Sequence, residues 1–174
     1  MTEEIPYTVK ERIEEAEVRT YPATRVASVS GYADNEAFRF LFRYITGNNR
    51  GKRTIAMTAP VITAEKIPMT APVISDASTM SFAMPEEFTL DDLPEPLEKE
   101  VHVHEIPARD VAVIRFSGRA GKKSVQEKTA RLLEILKKMN IPAEGTPFLM
   151  RYNSPFTPWF LRRNEVAVEI RRDE

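Results

Sequence analysis

Arg39, Phe40, Arg43 and Tyr44 bring two guanidinium groups and two aromatic rings into six consecutive residues. On a helix, at about 100° per residue, Phe40 and Tyr44 stand on one side, roughly opposite an apolar stripe of Phe38, Leu41, Phe42 and Ile45. Arg39 and Arg43 then flank the two rings. That mixture suits a flat, apolar ligand bearing acidic groups: rings stack on its face, and guanidinium groups pair with its carboxylates. The alternative is ordinary packing, with another strand or a dimer partner over Phe40 and Tyr44 and the arginines in water.

A second aromatic cluster lies at 152–161, where Phe156, Trp159, Phe160 and Leu161 sit among Pro155 and Pro158. The prolines exclude a helix and stiffen the loop. A loop this apolar either folds over the core or closes a pocket. Arg163 and Glu165, just beyond it, read as an arginine–carboxylate network that anchors it.

Met57-Thr58-Ala59-Pro60-Val61-Ile62 recurs as Met69-Thr70-Ala71-Pro72-Val73-Ile74 twelve residues later. Each copy reads as a short extended segment, because Val and Ile favour strand and Pro belongs at an edge or a bulge. Met57 and Met69 then occupy equivalent places in a hairpin-like loop. Their soft side chains suit a surface that adapts to a ligand, or they fill the core.

Other chemistry is sparse. The chain has no cysteine, which removes disulfides, thiolate metal sites and a thiol nucleophile. No Gly-x-Ser-x-Gly elbow is present, and neither histidine adjoins a candidate nucleophile in sequence. Glu36 and Glu165 are carboxylates a general base would draw on, yet no spacing marks them. Catalysis is therefore not the expectation. His102 and His104 alternate with Val101 and Val103 and share one strand face. They read as solvated residues, with metal ligation as the alternative if a further ligand joins them.

These residues need elements to hold them. The first helix is predicted from about Asn35 to Thr46, capped by Asp34 or Asn35 and stopped by Gly47. The second is predicted from about Ser124 to Met139, with Ser124 and Glu127 as a capping box and Val125, Leu132, Leu133 and Leu136 buried. Most of the rest reads as strand: 7–13, 17–20, 25–30, 79–84, 101–105, 111–116, 147–152 and 165–170, besides the paired Met-Thr-Ala-Pro segments. A larger repeat relates Tyr21-Pro22-Ala23-Thr24-Arg25-Val26-Ala27 to Ile106-Pro107-Ala108-Arg109-Asp110-Val111-Ala112, offset by 85 positions. Each copy runs on to Ser-Gly and a helix. The expected fold is α+β: a distorted antiparallel β-barrel of two duplicated repeats, about 7–85 and 101–172, each with one flanking helix, in a single domain over 1–174.

Twenty-five basic and 26 acidic side chains leave a net charge of −1, which argues against a nucleic-acid binder. No apolar run approaches the roughly 18 residues of a membrane span. The acidic opening Met-Thr-Glu-Glu lacks a signal-peptide pattern, so the expected location is cytoplasmic.

Segment 55–61, Met80 to Pro85, Pro107-Ala108-Arg109, Arg115-Phe116-Ser117-Gly118, and 151–153 with 162–166 together resemble the SOUL haem-binding family, in order along nearly the whole chain. The resemblance implies a two-repeat distorted barrel and non-catalytic, non-covalent binding of haem or a related tetrapyrrole. The expected cleft lies between the first helix and the Pro-rich loop, lined by Arg39, Phe40, Arg43, Tyr44, Met57, Met69, Phe156, Trp159 and Phe160. Arg39 and Arg43 fall on family positions that meet propionates. A further basic residue of the family loop falls near Thr157 or Pro158 and is absent here. No axial histidine has a counterpart in the first half; Tyr44 or a methionine is the open choice. The competing reading is a module that senses apolar ligands or binds a protein partner, similar to bacterial effector-binding domains, for which Glu36 is the nearest acidic candidate.

Overall fold

The computed structural model describes residues 3–64, 79–153 and 156–171. In chain order the elements are β1 (Glu3–Glu4), β2 (Thr8–Ile13), β3 (Ala16–Tyr21), β4 (Thr24–Ser30), α1 (Asp34–Ile45), β5 (Thr58–Ala64), β6 (Thr79–Ala83), β7 (His102–Ile106), β8 (Arg109–Ser117), α2 (Lys122–Lys138), β9 (Ala143–Arg151), a 3-10 turn (Trp159–Leu161) and β10 (Arg163–Ile170). The second Met-Thr-Ala-Pro copy, with Met69, lies outside the described residues.

The chain divides into two compact units, 1–5 with 23–107 and 6–22 with 108–174. In the first unit the sheet order is β5-β6-β4-β7, all antiparallel, with β1 parallel to β5. In the second it is β9-β10-β8-β3-β2, again antiparallel. The two orders match: two strands after the helix, the strand before the helix, then a strand followed by a Pro turn, at Pro107 after β7 and Pro22 after β3. Among the described residues neither order returns to its first strand. The strand order is thus open, which corrects the expected barrel, while the α+β class stands.

Inner strands β4 and β8 are buried on both faces, whereas the edge strands β2 and β7 are mostly exposed. In the first unit α1 packs Leu41, Tyr44 and Ile45 on Ala27, Val29, Met80 and Phe82. In the second α2 packs Leu132, Ile135 and Leu136 on Val18, Ala112, Ile114, Val166 and Val168.

Both helices begin earlier than their cap signals predict. α1 starts after Ala33 and α2 after Gly121, and neither has a side-chain cap hydrogen bond. Ser124 lies inside α2, so its capping box is not used. The buried residues of α2 are Thr129, Leu132, Ile135 and Leu136, while Leu133 is exposed.

The phase of α1 is the larger correction. Its buried face is Ala37, Leu41, Tyr44 and Ile45, while Phe38 and Phe42 are 37% and 47% exposed. The buried direction is rotated by roughly 65° from the predicted stripe. Two features explain the choice. Ala37, small and 2% exposed, lets the helix sit close to the sheet. The Tyr44 hydroxyl donates to the Pro94 carbonyl at 2.6 Å, so the ring can be buried with its polar tip satisfied.

Candidate functional site

The first unit presents its aromatic surface on α1, one helix face away from where the sequence put it. Phe38 and Phe42, four residues apart, stack with ring centroids 5.9 Å apart and planes 13° apart. Phe38 also meets the buried Phe82 of β6 edge-on at 5.3 Å, which holds the stack in place. Arg39 lies beside these rings, exposed and without a hydrogen-bonding or ionic partner among the described residues.

Arg43 is engaged. Its Nε and Nη2 donate to the two carboxylate oxygens of Glu98 at 2.9 and 3.1 Å, and its guanidinium lies 4.9 Å from the Phe40 ring centre. Phe40 is half-buried, edge-on to Tyr32 at 4.9 Å. Tyr44 is 1% exposed, and burial pushes its hydroxyl up to about 12. Tyr44 is therefore a core residue and leaves the ligand-facing set. Met57 is half-buried against the same core, which matches its packing alternative.

The opposite face of this sheet carries a short polar chain. The Ser28 and Ser81 hydroxyls are 2.7 Å apart, and Ser28 Oγ lies 3.0 Å from His104 Nε2. Register explains it: Ser28 pairs with Ser81 on β6 and with His102 on β7, so these side chains share a face. His102 and His104 are both exposed, as the sequence suggested, yet the fold brings His104 beside a hydroxyl that is far from it in sequence. The signal that could have found it was the alternation of Val26, Ser28 and Ser30, which only strand register connects to His104. Burial, and to a lesser degree His102, lowers the His104 pKa.

The second unit is built around charge. Arg19 is 2% exposed and Glu165 fully buried. Arg19 donates to both Glu165 oxygens at 2.8 and 2.7 Å, to Glu17 at 3.0 and 2.8 Å and to the Tyr21 hydroxyl at 2.9 Å. Arg163 donates to Glu165 at 3.0 Å and to Tyr7 at 3.1 Å. The Tyr7 and Tyr152 rings each lie 4.0 Å from one of these guanidinium groups. Burial alone would raise the Glu165 carboxyl. The hydrogen bond and charge of Arg19, with Tyr152 and Arg163, outweigh it and hold the pKa below its ordinary value. Both oxygens are taken and the group stays ionised, which suits an anchor better than a general base. The Arg163–Glu165 anchor expected from sequence is present, whereas Arg19 was missed. A cavity of about 430 Å³ lies on this face, lined by Tyr7, Val9, Arg12, Glu17, Arg19 and Arg115 among others.

The Pro-rich segment leaves its apolar side chains outside. Phe156 is 96% exposed, Trp159 51%, Phe160 59% and Leu161 63%. Trp159 and Phe160 meet edge to face at 5.6 Å, and the Arg119 guanidinium lies 5.8 Å from the indole. Among the described residues no group of three metal-ligating side chains forms.

Comparisons with known proteins bear on family and fold. The family model described as "SOUL heme-binding protein" matches residues 2–169. Heme-binding protein 2 of Homo sapiens is 29% identical over 167 residues, covering 88% of this chain and 80% of the relative. Among solved structures, the EcmrR C-terminal domain superposes with a TM-score of 0.64 at 12% identity, covering 96% of this chain and 99% of that one. A hydrolase from Listeria innocua gives 0.64 at 10% identity, with 98% and 100% covered. At such identities these structures establish a shared fold alone.

Proposed function

The chain belongs to the SOUL heme-binding protein family, and from that premise we propose that it binds haem or a related tetrapyrrole non-covalently and without catalysis, as a buffer, carrier or scavenger. The observation that carries the reading is the exposed Phe38–Phe42 stack with Arg39 beside it. It is supported further by the human relative, which is named for haem binding.

The donor set fits a tetrapyrrole held through its ring and acidic edge. Two parallel rings offer a flat apolar platform, and Arg39 offers a guanidinium for a propionate. Arg43 meets such a group only by giving up Glu98. His102 and His104 lie on the other face of the sheet from α1, so the platform carries no imidazole for the iron. Covering a few hundred Å² of ring at about 25 cal/mol/Å² supplies several kcal/mol, from which association costs are deducted. Moderate affinity follows. Phe156, Trp159 and Phe160 form a second exposed aromatic surface, in the other unit, and are tested separately.

Titration with haemin, followed at the Soret band, tests the proposal. Wild type is expected to saturate. Phe42→Ser should weaken binding about tenfold, from the loss of roughly 1–2 kcal/mol of ring contact. Arg39→Glu should weaken anionic porphyrins more than cationic dyes. A preference for cations would favour the effector-sensing alternative. No saturable shift would remove the haem reading.

A further inference from the structure

We propose that the segment 156–161, with the start of α2, is a docking surface for an anionic lipid bilayer. Phe156, Trp159, Phe160 and Leu161 are each more than half exposed within six residues. A soluble surface seldom leaves so dense a patch uncovered. The patch is also stiff. Leu161 N–H donates to Pro158 O at 2.9 Å, Arg162 N–H to Trp159 O at 3.3 Å and Arg162 Nε to Thr157 O at 2.9 Å. Asn164 Nδ2 donates to Gly118 O at 2.8 Å, tying this region to the loop before α2. Little ordering cost therefore opposes insertion.

The charge around the patch selects the occupant. Neither 111–126 nor 145–164 contains an acidic residue, although the whole chain carries 26. The same two stretches supply Arg115, Arg119, Lys122, Lys123, Arg151, Arg162 and Arg163. Arg163 turns inward to Glu165, but Arg119 lies over Trp159, and Lys122 and Lys123 are exposed with no ionic partner among the described residues. Lys122 and Lys123 occupy the first turn of α2, which has no acid and no side-chain cap. The helix dipole opposes cations there, so these lysines are not placed for the helix. Exposed rings beneath Arg119, with the exposed Lys122 and Lys123 at the start of the helix that follows it, match the headgroup layer of an anionic membrane: aromatics settle at the interface, and lysine and arginine meet phosphate. Segment 156–161 lies on the surface and does not span.

Trp159 is the only tryptophan, so its emission reports the contact directly, and no haem is needed. Vesicles of phosphatidylserine and phosphatidylcholine are expected to shift the emission to the blue and to carry the protein down on sedimentation. Phosphatidylcholine alone should do neither. The double variant Lys122→Glu, Lys123→Glu puts acids where the dipole favours them, so folding is not at stake; it should weaken binding by about tenfold or more. Phe156→Ser should reduce the shift without altering the fold. No shift with the anionic vesicles overturns the proposal. So does equal binding to neutral vesicles, or an unaffected lysine variant.

Discussion

The two units share one strand order and one helix position, yet behind their helices they hold opposite chemistry. In the first unit, the sheet face away from α1 holds the neutral chain Ser81, Ser28 and His104. In the second, the equivalent face holds Arg19 and Glu165, nearly or fully out of water, with Glu17, Arg163 and three tyrosines around them. Topology therefore sets where polar groups can go and not what they are. A neutral chain needs only its hydrogen bonds. A buried ion needs its counter-ion as well, because desolvating one charge alone costs several kcal/mol.

The largest test of that contrast is Glu165→Leu. It leaves Arg19 buried with Glu17 as its remaining carboxylate, and should destabilise the protein by about 3–5 kcal/mol in chemical denaturation. Adding Arg19→Met should recover part of the loss. If the single change costs under 1 kcal/mol, on the order of a surface pair, the network is not an anchor.

Acid should separate the units in two steps. His104 has a folded pKa below its unfolded value near 6.5. Its stabilisation is complete above about pH 6.5 and is lost as pH falls through the folded value. Glu165 is also lowered, so its contribution is complete above about pH 4.3 and is lost at still lower pH. His104→Ala should abolish the first decline in midpoint and leave the second; Glu165→Gln should do the reverse. A single decline, unchanged in both variants, would break the comparison.

A smaller effect is expected at Tyr44→Phe, which strands the buried Pro94 carbonyl and should cost about 1 kcal/mol. Tyr44→Phe should leave haemin titration unaltered, because the hydroxyl points into the core. The smallest concerns Arg43→Ala. Its exposed pair with Glu98 should leave the denaturation midpoint unmoved, while any change in haemin affinity would show that Arg43 exchanges Glu98 for a propionate.

Much of this molecule was legible in the residues. Most of the described strands (though not β1), the two helices and the Arg163–Glu165 anchor follow from β-branched runs, apolar spacing and charge pairing, all of which act over a few residues. The α+β class follows from them. What sequence misread was rotation and closure. The Phe38, Leu41, Phe42, Ile45 stripe is a sound helix face on hydrophobicity alone. It lost to Ala37, Leu41, Tyr44 and Ile45 because close approach favoured alanine and the Pro94 carbonyl, fifty residues away, satisfied the tyrosine.

The chain by itself determined the family, the order of its elements and the places where aromatics and arginines gather, since these are properties of neighbouring residues. Only the tertiary structure decided which rings face water, that Arg43 rather than Arg39 pairs with Glu98 among the described residues, and that Ser28 meets His104. Those outcomes depend on partners far along the chain, chosen by register and by the cost of leaving a buried polar group without one.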